Sequence, residues 1–150
     1  MKRELQRESE FDLDKFLPYL LNQAAEVTSQ NFQKVYRSDY GMTRAQWRVM
    51  ANLGKHGSMT ATEICRITFI EKTKMSRAVQ NLHEKGYLSR DAIAGDRRSE
   101  RLSLTANGNN TFLALGKKAA EFDLQLRKRL GREGVDQLEK VLRDLIQSAA

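Results

Sequence analysis

The stretch Glu71-Lys72-Thr73-Lys74-Met75-Ser76-Arg77-Ala78-Val79-Gln80-Asn81-Leu82-His83-Glu84-Lys85-Gly86 changes period at its last residue, and that change decides how the chain is read. Before the glycine, Met75, Ala78, Val79 and Leu82 recur at helical spacing, so one face of a helix from about Glu71 to Lys85 is apolar and Gly86 stops it. Lys72, Thr73, Lys74, Ser76, Arg77, Gln80 and Asn81 are left for the other faces. After the glycine, residues 87–93 and 101–105 read as two short strands. They are joined by a turn-prone charged tip, Ala94-Gly95-Asp96-Arg97-Arg98-Ser99-Glu100, which makes a small hairpin.

Working upstream, Ser58 to Thr60 opens a short helix carrying Ala61, Ile64, Cys65 and Ile67. Before that, Thr43 is an N-cap for a helix with Trp47, Val49, Met50 and Leu53 on one face, ended by Gly54 or Gly57. A first long helix runs from Pro18, a residue suited only to an opening turn, to about Ser38. Downstream of Thr105, Phe112, Leu115, Ala119, Phe122, Leu126 and Leu130 lie 3 or 4 residues apart, close to a coiled-coil seam that needs a partner. A break between Gly131 and Gly134 introduces a last helix with Val135, Leu138, Val141, Leu142, Leu145 and Ile146 on its apolar face.

The fold class this predicts is mainly α with a small β-hairpin. Helix, short helix, turn, helix and charged hairpin, in that order, is the layout of a winged helix-turn-helix. There the second helix of the motif enters the major groove, and hydroxyl, amide and cationic side chains meet base edges and phosphates. The chain is expected to be a single domain over 1–150. Within it, 43–105 forms the winged DNA-binding lobe, and 15–42 with 106–150 forms a helical dimerisation region. Taken alone, the 71–85 segment reads better as an ordinary amphipathic surface helix, and a plain solvated turn is the lesser reading of the tip. Two adjacent arginines on a narrow projecting turn pack poorly, but they can reach a minor groove whose negative potential is concentrated. Asp96 is expected to hold one of them by a bidentate pair.

Charge follows the same division. Of 150 residues, 26 are Lys or Arg and 19 Asp or Glu, a formal +7. Residues 43–105 hold 12 of those cations against 6 acids, and the rest of the chain is nearly neutral. A basic middle between balanced flanks fits a polyanionic partner, or a solvated basic face. No window approaches the roughly 20 apolar residues of a membrane span, and the charged start MKRELQRESEFDLDKF is unlike a secretory signal, so a cytoplasmic location is expected. The single cysteine, Cys65, cannot form an internal disulfide or complete a metal site, and it reads as a small core residue. No cofactor or metal is expected. His56 and His83 have no nucleophile or carboxylate pair arranged beside them, and nucleotide-binding and zinc-protease motifs do not occur, so an enzyme is not expected.

The run Asp96-Arg97-Arg98-Ser99-Glu100-Arg101-Leu102-Ser103-Leu104-Thr105 resembles the wing signature D-x-R-x-x-x-L-x-L-T of the MarR family of bacterial transcription regulators. The stretch from Met59-Thr60-Ala61-Thr62-Glu63-Ile64 through Lys85-Gly86-Tyr87-Leu88 is similar to that family's helix-turn-helix, and the resemblance covers about residues 15–148. It implies a homodimer whose first and last two helices interlock, with two winged lobes on successive major grooves of a pseudo-palindromic double-stranded DNA operator. It also implies that Arg98 is the minor-groove arginine and Asp96 its orienting carboxylate, with Lys72, Thr73, Ser76 and Arg77 in the stretch that reads the major groove. Some members of the family sense oxidants through a cysteine near the start of the first helix, which this chain lacks.

The function expected is therefore a ligand-responsive dimeric DNA-binding regulator, a repressor released by a small aromatic or phenolic acid. The alternative is a winged-helix interaction module that binds protein or RNA. The resemblance implies an effector cleft where the first, second and fifth helices meet the winged lobe. Tyr19, Tyr36, Trp47, Arg48 and Phe112 are the candidates to line it, although aromatic residues at helical spacing also read as core.

Overall fold

The computed structural model describes residues 11–148. A short 3-10 turn at Leu13–Lys15 precedes six helices and three strands: α1 (Leu17–Tyr40), α2 (Arg44–His56), β1 (Met59–Thr60), α3 (Ala61–Thr68), α4 (Lys72–Glu84), β2 (Leu88–Ile93), β3 (Asp96–Leu104), α5 (Ala106–Leu130) and α6 (Arg132–Ser148). The architecture is mainly helical, with a winged helix-turn-helix in the middle of the chain.

Local sequence accounts for most of the boundaries. Pro18 sits in the first turn of α1, where its missing N–H costs nothing, and Gly41 closes that helix in the left-handed region at φ 61°. Thr43 with Gln46 and Thr60 with Glu63 form capping boxes at the starts of α2 and α3, each pair exchanging side-chain and backbone hydrogen bonds. Thr105, the last residue of the wing signature, has two tasks. Its hydroxyl accepts from the Gly108 N–H at 3.0 Å, capping α5, and donates to the Gly86 carbonyl at 2.6 Å, tying the end of the hairpin to the end of α4.

The strands depart from expectation in two ways. Met59 and Thr60 form a short strand that pairs antiparallel with Leu102 and Arg101, so the sheet has three strands in the order β1-β3-β2, and α3 starts at Ala61 rather than within 58–60. The charged tip also shrinks to a two-residue turn at Ala94 and Gly95, the latter at φ 85°, and β3 begins at Asp96 instead of Arg101. A two-residue loop whose glycine takes positive φ suits the twist of a hairpin better than a longer loop does.

One core joins the lobe to the long helices. Met50, Val49 and Leu53 of α2, Ile64 of α3, Met75, Ala78, Val79 and Leu82 of α4, Leu88 and Leu102 of the sheet, and Leu115 of α5 are buried together with Tyr36 of α1. Cys65 is half-buried against that cluster. Gly108 shows how tightly the pieces meet, since a Cβ there would overlap the Tyr87 carbonyl oxygen.

The seam expected on α5 is only partly an outer surface. Leu115 is wholly buried, Phe112 lies over Gly54 of α2, and the Phe122 ring stands 5.3 Å from Phe32 of α1, so the first half of the stripe packs within the chain. Lys118 also pairs with Asp39 across the α1–α5 contact. What stays exposed is Leu113, Leu124 and Leu130 of α5, Leu138, Val141, Leu145 and Ile146 of α6, and Phe16, Leu17, Leu20, Leu21 and Val27 at and along the first half of α1.

Candidate nucleic-acid interface

α4 buries Met75, Ala78, Val79 and Leu82 and turns Lys72, Thr73, Lys74, Ser76, Arg77 and Gln80 to solvent, with Asn81 half-buried on its flank. Glu71, its N-cap, makes no side-chain cap, and there is no acidic residue in its first turn, so the free backbone N–H groups and two lysines give that end a positive potential. The helix projects as a ridge between two clefts. One, of about 620 Å³, separates it from the wing and is bordered by Ser76, Gln80, Arg90, Arg98 and Glu100. The other, of about 730 Å³, lies toward α1, α2 and the α3–α4 turn and is bordered by Arg44, Arg48, Phe69, Ile70 and Lys74. Arg77 and Asn81 border both, and the Asn81 Oδ1 is buried without a hydrogen-bond partner among the described residues.

The register of the wing explains its shape. Ile93 pairs with Asp96 and Ala92 with Glu100, so one step along β2 corresponds to four along β3, and Arg97, Arg98 and Ser99 form an unpaired bulge. Asp96 organises it: its Oδ1 accepts from the Arg98 N–H at 2.9 Å, and that amide followed by the Ser99 hydroxyl holds the carboxyl below the ordinary aspartate range. This corrects the expected pairing, because Asp96 grips the backbone of Arg98 and not its guanidinium. A carboxylate two residues upstream reaches the turn's own N–H groups more readily than a long side chain that is free to extend into water.

Two residues that sequence reading passed over set the angle of the wing. Arg90 of β2 donates through Nε to Glu100 of β3 at 2.7 Å and through Nη1 to the Gln80 Oε1 of α4 at 3.0 Å. Gln80 in turn donates to Glu84 at 2.7 Å, so its amide is committed at both ends. No sequence signal pointed to this, since the expected hairpin left Glu100 in the tip; the observed register sets Arg90 opposite Leu102 and Ala92 opposite Glu100, which makes Arg90 and Glu100 diagonal neighbours.

Ion pairs take up some of the cations and leave others without a carboxylate. Arg44 forks onto Glu26 at 2.8 and 2.9 Å, Arg127 bridges Asp123 and Glu139, and Arg90 holds Glu100. Among the described residues, Lys72, Lys74, Arg77, Arg97 and Arg98 pair with no carboxylate, although all five are exposed. Five unneutralised cations on one helix ridge and the adjoining bulge form a surface suited to phosphate.

Comparison with known proteins agrees with this arrangement: a family model described as MarR family matches residues 40–99, which run from the end of α1 through the wing bulge. Residues 40–99 of the chain thus resemble the MarR family. Proteins of that family are winged helix-turn-helix transcription regulators that bind DNA. Over 81 residues it is 35% identical to the HTH-type transcriptional repressor MdtR of Bacillus subtilis strain 168, a match covering 53% of this chain and 52% of that protein. The MarR family regulator SPO1453 of Silicibacter pomeroyi superposes with a TM-score of 0.82 at 26% identity, over 94% of this chain and 100% of that one. Bordetella bronchiseptica BpsR, whose DNA binding is regulated by 6-hydroxynicotinic acid, shares the fold with a TM-score of 0.78 at 18% identity, over 91% and 97% of the two chains. No described helix of the chain is long and apolar enough to cross a membrane.

Of the five residues expected around an effector, two pack together in this chain. Tyr36 is buried and stacks on Trp47, with ring centroids 6.0 Å apart, and both pack against Phe32. Phe112 covers Gly54, and Tyr19 is half-buried near the start of α1. Of the five, only Arg48 borders a described cleft.

Proposed function

We propose that the chain works as a homodimeric repressor that reads a pseudo-palindromic operator and releases it on binding a small aromatic acid. The observation that carries the DNA-reading part is the row of unpaired cations on α4 and the wing bulge. In this reading residues 43–105 are the reading lobe, and α4 lies in the major groove. Thr73, Ser76 and Arg77, with Gln80 and Asn81 behind them, face base edges, while Lys72 and Lys74 meet phosphate. Arg98, with Arg97 beside it, enters the flanking minor groove, its bulge held in shape by Asp96.

The homodimer rests on the apolar side chains left bare on α1, α5 and α6, in residues 15–42 and 106–150, which a second copy of the same helices would cover. Repression is supported by likeness to MdtR, described as a repressor. The aromatic acid is supported by likeness in fold to BpsR and by the cleft that Arg48 borders with Arg44, Lys74 and Arg77. A guanidinium there offers a carboxylate two parallel hydrogen bonds. The rings of Tyr36, Trp47 and Phe112 would have to give up core contacts to line such a site, so ligand binding there requires α1 and α2 to move relative to α5.

Fluorescence anisotropy with the intergenic DNA upstream of the protein's own gene tests the reading. Saturable binding that survives excess bulk DNA, with a footprint of two-fold symmetry, is expected; binding no tighter than to bulk DNA overturns it. Calorimetry with a panel of benzoates and hydroxycinnamates tests the effector. A true effector binds the operator complex more weakly than the free protein by the same factor by which it weakens operator binding.

A further inference from the structure

Among the described residues, the exposed large hydrophobic side chains fall on the N-terminal segment, α1, α5 and α6, with two exceptions: Ile67 and Phe69 at the end of α3. Phe69 is 89% exposed, so packing within the chain does not ask for its ring. The backbone does not ask for it either. Phe69 closes α3 in the left-handed region at φ 58° and ψ 20°, its N–H bonded to the Cys65 carbonyl, and it is the one residue other than glycine with positive φ among the described residues. Glycine adopts that conformation freely and a side chain strains it. A large aromatic ring therefore occupies a position where both solvent and backbone favour its absence.

Its surroundings identify what the ring meets. Phe69 precedes by three residues the first residue of α4 and borders the same cleft as Arg48, Lys74 and Arg77, and Arg77 also borders the cleft shared with Arg98 of the wing. Phe69 and the wing thus flank α4 on opposite sides. An apolar ring whose cleft carries three unpaired cations, Arg48, Lys74 and Arg77, against one unpaired acid, Glu71, complements a surface that is apolar at one point and anionic around it. In the major groove, the 5-methyl group of thymine between two phosphate backbones is such a surface, and phenylalanine is one of the side chains that contacts it.

We propose that Phe69 is a specificity-determining contact that reads a thymine methyl group at the edge of each half-site. The proposal rests on the DNA-reading function above and is tested separately from it. Wild-type protein is used to select its preferred duplex from a random-sequence library. Each thymine is then replaced singly by deoxyuridine, which removes only the methyl group.

One replacement per half-site is expected to weaken wild-type binding about fourfold, the effect of one buried methyl. Phe69→Gly should bind the thymine duplex at least that much more weakly and no longer distinguish thymine from deoxyuridine at that position. Its melting temperature should be unchanged or higher, because the left-handed strain is relieved; Phe69→Asn, which also tolerates that conformation, should behave likewise. The proposal is overturned if wild-type binding ignores every deoxyuridine, or if Phe69→Gly keeps wild-type affinity or discrimination while Arg98→Ala weakens binding. If no preferred duplex is recovered, or Arg98→Ala and Phe69→Gly are both without effect, the DNA-reading function fails and this proposal with it.

Discussion

At the scale of single residues, the wing divides its work between a side chain that reaches outward and one that holds the backbone. Arg98 is exposed and pairs with no carboxylate, whereas Asp96 is tied to the Arg98 N–H at 2.9 Å. Arg98→Ala is expected to weaken binding to all duplexes alike and to lower the salt slope by about one, since it removes a sequence-tolerant contact. Binding titrations at several salt concentrations check this. Arg77→Ala should instead change which bases are preferred, at roughly 1–3 kcal/mol for a good base contact, which repeating the selection on the variant would reveal. An Arg77 variant that loses affinity equally for every sequence would assign that guanidinium to phosphate.

At the scale of elements, two junctions hold the lobe to the helical body. The first is the start of α5 against the start of β2, where Gly108 faces the Tyr87 carbonyl with no room for a methyl group. Gly108→Ala is expected to destabilise the fold by about 1–3 kcal/mol or more through overpacking, read as a lower melting temperature. The second junction joins α1 to α2, where Arg44 and then Gln30 hold Glu26 at about 2 instead of the ordinary 4.5. A carboxyl whose value is lower when folded contributes stability that is fully present above the unfolded value and is lost as pH falls through the folded one. The stability difference between wild type and Glu26→Gln should therefore be constant above about pH 4.5 and vanish as pH falls toward 2. Denaturant titrations across that window check it; a difference that persists unchanged at pH 2 would show that the ion pair is not its source.

At the scale of the whole molecule, the apolar side chains left bare lie far from the cations in sequence, on the two ends of the chain. The proposed dimer uses the first set to space two copies of the second. On α6, Leu138, Val141, Leu145 and Ile146 recur at helical intervals and are all exposed. Replacing both Val141 and Ile146 by Glu is expected to give a protein that sediments as one chain at micromolar concentration and binds a single half-site only weakly. The unaltered dimer should protect two half-sites about 34–36 Å apart, one helical turn. A wild-type protein that is monomeric under the same conditions would remove the basis for the symmetric operator.

Periodicity and punctuation in the sequence determined the six helices, the identity of α4 as the cationic ridge and the placing of a charged hairpin after Gly86. These features follow from contacts between near neighbours in the chain: Pro18 at a first turn, Thr43 and Thr105 as caps, apolar residues three and four apart. Tertiary structure alone decided the rest. Met59 and Thr60 are a strand only because Leu102 and Arg101 come alongside, and two residues carry no period of their own. The α5 stripe divides between internal core and outer face according to where α1 and α2 happen to lie, a division that spacing cannot encode. The bulge at Arg97–Ser99 and the Gln80–Arg90–Glu100 bridge depend on register between strands and on how the sheet meets α4. Phe69 carries no helical or strand signal, and its exposure and left-handed backbone exist only once α3 ends where it does. Local spacing specifies which face of an element is apolar; which other element covers that face, and what is left bare, is set by long-range packing.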